Sequence, residues 1–297
     1  MRPFVLAAAL AATLAACATT TPAPDAAHTP APAAPAAEGP APDDSLNATV
    51  WYQTALERDL VYLGTYRAAG RTLKAALADK AWDALPKEDR ATPAKGLKPA
   101  IIVDVDETVL DNAPSQVRQI REHRGFDEAQ WGAWVGEAKA RPLAGAVEFL
   151  QSAAKQGVTV FYISNRDASL SAATIANLRA AGFPIAKDAQ FLGLGTVVDG
   201  CDQEGSEKSC RRQLVGRDHR VLMQFGDQVG DFVQVLANTR DGRREAVAPY
   251  LGWIGERWYV LPNPLYGSWE PAVFDNDWRQ PAATRRAKKL EALDDAR

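Results

Sequence analysis

Two carboxylates stand two residues apart where a short apolar run gives out: Ala100-Ile101-Ile102-Val103 is followed by Asp104-Val105-Asp106-Glu107-Thr108. If the run is a buried strand, both carboxylates can point at one spot beyond its end. One can attack phosphorus. The other can give a proton to the leaving oxygen and later take one from water, the division of labour in phosphoryl transfer through an aspartyl-phosphate. Ser164 ends the region of a second apolar run, 158–163, and offers a hydroxyl and a backbone N–H to phosphoryl oxygens. Lys208 heads a helical pattern and can supply positive charge to an oxygen-rich anionic transition state. Asp227 and Asp231 follow a third run, 221–225, and with Asp104 offer hard oxygen ligands suited to octahedral Mg²⁺. Each has an ordinary reading on its own: an acidic strand end, a helix-capping serine, a solvated lysine, a first helical turn stabilised by the macrodipole. Their joint order, each at a strand end or helix start, points to one phosphate-sized site.

The elements needed to hold them follow from hydrophobic period. Apolar runs at 100–103, 158–163, 221–225 and 258–261 each end in polar residues, and helical patterns lie between them at 144–155, 169–181 and 229–238. Strand, polar residue and helix in repetition predict an α/β fold, a Rossmann-like parallel sheet flanked by helices, with ligands at the carboxyl ends of the strands. Upstream, Ser45 or Asn47 can cap a long amphipathic helix reaching residue 78. Its expected apolar face is Trp51, Ala55, Leu60, Leu63, Tyr66, Ala69, Leu73 and Leu77, with Gly70 the place for a break.

With 297 residues, 46% hydrophobic and 24% charged, the chain can bury a core, which excludes a wholly disordered or disulfide-scaffold protein. A formal charge of −3 gives no broad field for a nucleic-acid polymer, so an anionic ligand must be held locally. Met1 and Arg2 precede an apolar stretch, 4–14, too short to span a bilayer, and Ala15-Ala16 precede Cys17. The expectation is a lipoprotein signal peptide at 1–16 and a lipidated Cys17 as membrane anchor, with plain secretion the alternative. An Ala/Pro-rich tether, 17–44, follows and contains His28. His123 and His219 are isolated as well, so no histidine metal site is expected. Once Cys17 is taken by lipid, Cys201 and Cys210 remain as an even pair around Lys208. A disulfide between them is expected in an exported chain, two buried free thiols being the alternative. No Cys-x5-Arg loop, Arg-His-Gly triplet or Gly-x-Ser-x-Gly elbow is present.

Asp104-x-Asp106-x-Thr108, Ser164, Lys208 and Gly226-Asp227-x-x-x-Asp231 resemble the four motifs of the haloacid dehalogenase superfamily. A narrower resemblance is to its class C acid phosphatases, the outer-membrane lipoprotein type that includes 5′-nucleotidases. It is carried by residues 105–112, Trp131 with Trp134, residues 161–166, Gly226-Asp227 with Asp231-Phe232, and Leu261-Pro262-Asn263-Pro264 with Tyr266-Gly267 and Trp269. The resemblance runs from about residue 49 to 269. It implies one phosphatase domain, 45–297, with a small helical cap from about 45–85 and 111–140 and an α/β core from about 97–110 and 141–270. It further implies Mg²⁺-dependent hydrolysis of phosphomonoesters outside the cytoplasm, in a bacterial envelope. Asp104 then resembles the nucleophile, Asp106 the acid/base whose carbonyl meets the metal, Asp227 the remaining protein ligand, and Asp231 its neighbour. Thr108, Asn112, Asn165 and Arg166 are expected around the substrate, Tyr266 as a stacking residue, and Trp131 and Trp134 near the opening unless they pack the insert. Ser164 replaces the usual Thr, Gln228 the usual Asn, and no aromatic lies between Trp82 and Asp104. A homodimer is left open. The other class of function is a non-catalytic surface lipoprotein that binds a ligand.

Overall fold

The computed structural model describes residues 44–296; the signal peptide, Cys17, His28 and all of the tether before Asp44 lie outside the described residues. The chain begins with α1 (Leu46–Thr54) and α2 (Leu56–Ala78), then enters the sheet at β1 (Lys98–Val103). An insert follows: β2 (Leu110–Asp111), α3 (Ala113–Arg121), α4 (Glu128–Gly136) and β3 (Arg141–Pro142), with β2 and β3 paired antiparallel. The core resumes with α5 (Ala146–Lys155), β4 (Thr159–Asp167), α6 (Ser171–Ala180), β5 (Phe191–Leu194), α7 (Ser209–Asp218) and β6 (His219–Gly226). It ends with α8 (Arg240–Val247), β7 (Trp258–Val260) and α9 (Ala282–Glu291).

Five strands form one parallel sheet in the order β5-β4-β1-β6-β7. Both faces of β1 are buried, so the run is continuously apolar rather than alternating. Ile101 and Val103 pack with Tyr66, Leu73, Phe149 and Phe225 under α2 and α5, while Ala100 and Ile102 pack with Val215, Val221 and Trp258 on the other side. Stacked rings bind α2 to the sheet: Phe225 lies 5.2 Å from Tyr66 and 4.9 Å from Tyr259, centroid to centroid.

Two expectations need correction, and one strand comes in addition to those expected. The long amino-terminal helix breaks at Ala55, which is extended (φ −77°, ψ 121°), and runs unbroken through Gly70. Its buried face is Tyr52, Tyr62, Tyr66, Ala69, Leu73 and Ala76, whereas Trp51 and Leu60 are exposed. The break at Ala55 is what lets Tyr52 turn in to meet Tyr62, hydroxyl to hydroxyl at 2.8 Å. The predicted helix 229–238 is a single 3-10 turn, Val229–Asp231. Gly230 and the β-branched Val229, Val233 and Val235 are weak helix formers, and Phe232 and Val233 go into the core instead. Finally, the edge strand β5 was not foreseen; four residues interrupted by Gly193 give little period to read.

Candidate active site

β1 delivers Asp104 to the carboxyl end of the sheet, and the chain then reverses tightly over 105–110, with Glu107 in the left-handed region (φ 53°). The reversal is fastened from beneath by α2. Tyr62 donates its hydroxyl to the Glu107 carbonyl at 2.5 Å, and Tyr66 donates to the Thr108 carbonyl at 2.7 Å. Buried carbonyls that would otherwise lack partners are thus satisfied, and the loop is fixed. Asp104, Asp106, Lys208, Asp227 and Asp231 all face one cavity of about 770 Å³, together with Trp131, Asn165, Arg166 and Tyr266.

Lys208, at the start of α7, is fully engaged. Its Nζ donates to Asp104 Oδ1 at 2.5 Å, Asp231 Oδ1 at 2.7 Å and the Ile163 carbonyl at 2.9 Å. Burial works against its charge, but Asp104 and Asp231 hold its pKa above the ordinary lysine value. The Cys201–Cys210 disulfide closes the loop that carries it. Arg211, one turn further along α7, donates to the Ser164 carbonyl at 2.6 Å and to Asn165 Oδ1 at 2.7 Å, pinning the end of β4. Sequence reasoning passed over Arg211; its i+3 spacing from Lys208 was the available signal.

Asp227 follows β6 and accepts from Gln228 Nε2 at 2.8 Å and Asn263 Nδ2 at 2.7 Å, with no cation among these partners. Burial first, then the charges of Asp231 and Asp104, push its carboxyl well above the usual range. Gln228 also receives the Ser268 N–H on its Oε1 at 3.1 Å. In place of the expected Asn, it therefore ties Asp227 to the turn bearing Tyr266. Two glycines make room: a Cβ on Gly226 would lie 2.3 Å from Asp231 Oδ2, and one on Gly267 2.4 Å from Gln228 Nε2.

The carboxylates of Asp104, Asp227 and Asp231 offer ligand atoms within 4.8 Å of one another. Lys208 pairs with Asp104 and Asp231, and the partners of Asp227 are neutral amides, so full ionisation of the three carboxylates needs positive charge beyond Lys208. Burial raises the Asp104 carboxyl to about 7 despite the attraction of Lys208, with Asp231 and Asp106 adding to the rise. Oxygen-only donors held close against their own repulsion fit a hard divalent cation. The Asp106 side chain is not part of this cluster.

Asp106 is instead gripped by Arg166, whose Nε and Nη2 reach Oδ1 at 2.9 and 2.8 Å, and by Asn112 Nδ2 at 2.8 Å. Asn112 Oδ1 in turn accepts from Trp134 Nε1 at 2.8 Å and Arg166 Nη2 at 3.1 Å. Several expected substrate contacts are therefore placed differently. Thr108 and Asn112 are buried behind the carboxylates, Thr108 donating to Asp104 Oδ2 at 3.1 Å. The Ser164 hydroxyl is likewise buried, 3.4 Å from Asp106 Oδ2, and accepts the Arg166 N–H at 3.0 Å. Trp134 packs inside the insert, whereas Trp131 lines the cavity with Arg166 5.6 Å from its ring centroid.

Arg166 thus fixes the carboxylate that the sequence marks as the candidate acid/base. If Asp106 serves as that acid/base, Arg166→Lys, which keeps the charge and loses the planar fork, should lower kcat about 10- to 100-fold. The loss should be greater for alkyl phosphates than for nitrophenyl phosphate, whose leaving oxygen needs little protonation. Equal losses on both esters would show that Arg166 does not act through proton transfer.

Comparison with known proteins agrees with this geometry. The curated relatives include acid phosphatase 1 of Solanum lycopersicum, 28% identical over 170 residues, and the stem 31 kDa glycoprotein of Glycine max, 27% identical over 171. Each match covers 56% of this chain, and it spans only 57% and 58% of those relatives' own lengths. The class C acid phosphatase of Bacillus anthracis, solved with tungstate bound, superposes with a TM-score of 0.74 at 32% identity, covering 85% of this chain and 98% of that one. The family model of the HAD superfamily, subfamily IIIB (acid phosphatase), matches residues 52–269, which take in every strand of the sheet and Asp104, Asp106, Arg166, Lys208, Asp227 and Asp231 of the cavity. The chain is therefore a member of HAD subfamily IIIB, the acid phosphatases.

Proposed function

We propose that the protein hydrolyses phosphomonoesters, nucleoside 5′-monophosphates among them, through an aspartyl-phosphate on Asp104. The observation that supports this best is the setting of Asp104: held by Lys208 and Thr108, two residues from a second carboxylate fixed by Arg166, and part of an acidic cluster. An Asp104 oxygen forms the bond to phosphorus as the ester oxygen leaves, and Asp106 gives that oxygen its proton. Asp106 then takes a proton from water as the water oxygen attacks the aspartyl-phosphate, releasing inorganic phosphate and restoring Asp104. Lys208 faces the developing negative charge throughout. Mg²⁺ held by Asp104, Asp227, Asp231 and the Asp106 carbonyl would supply further positive charge against the phosphoryl oxygens. Export, a lipid anchor at Cys17 and placement at a bacterial outer membrane belong to the same proposal and rest on the amino-terminal sequence.

Phosphate release from a panel of monoesters, with and without Mg²⁺, tests the enzymatic part. Turnover should be highest at acid pH, vanish in excess EDTA and return with Mg²⁺. Undiminished turnover in EDTA would remove the metal, and no release from any ester would favour the ligand-binding alternative.

A further inference from the structure

The family match ends at residue 269, but the wall of the cavity does not. Glu270, Trp278 and Lys289 lie beyond the match and line the same space as Asp104 and Asp106. At about 770 Å³ that space exceeds what a phosphoryl group needs and falls within the roughly 300–1,000 Å³ of sites that enclose a whole small molecule. The remainder is available to the leaving group.

The segment beyond the match is anchored to the domain. Phe274 is fully buried, Asn238 Nδ2 donates to Asn276 Oδ1 at 2.5 Å, and Asn276 Nδ2 donates back to the Asn238 carbonyl at 2.9 Å. Lys289 of α9 pairs with Glu270, and Arg286 with Asp44 at 3.0 Å. Trp278 stands on this base. Its ring meets Phe274 edge to face at 4.9 Å, and the Arg285 guanidinium lies 5.4 Å from its centroid. Arg285 is itself fixed by donating to the carbonyls of Trp278 and Gln280, at 2.5 and 3.0 Å.

A ring braced in this way has little side-chain freedom to lose when a ligand arrives. Yet Trp278 remains 54% exposed and lines the cavity. Its uncovered apolar surface would be recovered from water by a flat ligand, and not by a short polar one. Trp131 and Tyr266 add two more aromatic rings to the same lining. We propose that Trp278 is a specificity-determining residue of this chain, stacking on a planar ring in the leaving group, so that aryl and heteroaryl phosphates are favoured over short aliphatic ones.

The inference rests on the phosphatase reading, and its test separates the two. KM and kcat for a nucleoside monophosphate and for glycerol phosphate are measured in the wild type, Trp278→Ala and Trp278→Phe. Binding of the phosphate-free nucleoside is measured in parallel by calorimetry. Trp278→Ala should raise KM for the nucleotide about five- to tenfold and weaken nucleoside binding by a similar factor. Glycerol phosphate kinetics should stay unchanged, and Trp278→Phe should recover most of the loss. Equal effects on both esters, or unchanged nucleoside affinity in Trp278→Ala, would overturn the role given to Trp278. If the wild type cleaved neither ester, the phosphatase reading would fail, while the nucleoside measurement would still decide whether Trp278 holds a ring.

Discussion

Asp104→Asn should lower turnover by at least about a thousandfold while leaving the metal-free protein more stable at neutral pH than the wild type. The first part follows from loss of the nucleophile. The second follows from the burial that raises the Asp104 carboxyl to about 7, against an ordinary value of 3.8. Between those values the native state holds a proton that the unfolded state has released. Wild-type stability therefore falls as pH rises from about 4 to about 7. Asparagine has no proton to lose, and the advantage of the variant should grow across that window and level off above it. Melting temperatures in EDTA at pH 4.5, 6 and 7.5, beside kcat, check both halves. Added Mg²⁺ should then raise the melting temperature of the wild type but hardly that of the variant, because it needs the charge that the substitution removes. Full turnover in a folded Asp104→Asn protein would end the covalent mechanism. A pH slope equally steep in both proteins would end the electrostatic account, because Asp227, raised by the same burial, gives each of them some slope.

Lys208→Met should also cost about a thousandfold or more in kcat, with the opposite effect on stability. The ammonium is buried and bonds two carboxylates and a backbone carbonyl. Its loss leaves Asp104, Asp227 and Asp231 facing one another without the cation, a change of roughly 3–5 kcal/mol for a broken buried pair. Mg²⁺ should restore much of that stability and little of the turnover, since the charge against the phosphoryl group would still be missing. Denaturant unfolding with and without Mg²⁺, paired with phosphate release, separates the two effects. If kcat survived within tenfold, Lys208 would be only a structural counterion.

The gathering of the candidate residues into one cavity was legible because they sit just past strand ends or, for Lys208, at a helix start, and strand ends are marked by where apolar runs stop. Asp104, Asp106, Asp227, Asp231 and Lys208 needed no knowledge of distant partners. The inward-facing polar residues did. That Thr108 and Asn112 lie behind the carboxylates depends on Tyr66 and Trp134, far away in sequence, which decide which way the loop side chains turn. The helix break at Ala55 was illegible for the same reason: nothing local marks it, and the pairing of Tyr52 with Tyr62 exists only after packing. At 229–238 the spacing of Val229, Phe232, Val233 and Leu236 fits a helix on paper, but Gly230 and the valines favour it weakly, and Leu236 stays exposed while Phe232 and Val233 enter the core.

The tyrosine pins beneath the catalytic loop set an order of events in folding. Tyr62 reaches the Glu107 carbonyl and also the Pro262 carbonyl at 3.2 Å, a contact between residues 200 positions apart. Closing a loop of that length is entropically late, and contacts of such separation slow the search for the native state. Sheet and helices can thus assemble while the turn after β7, which carries Asn263 and Tyr266 to the site, is still undocked. In refolding, circular dichroism should return before phosphate release does, with the lag measuring the docking of that turn. Competence of the site therefore requires nearly the whole domain, through Pro262, to be in place.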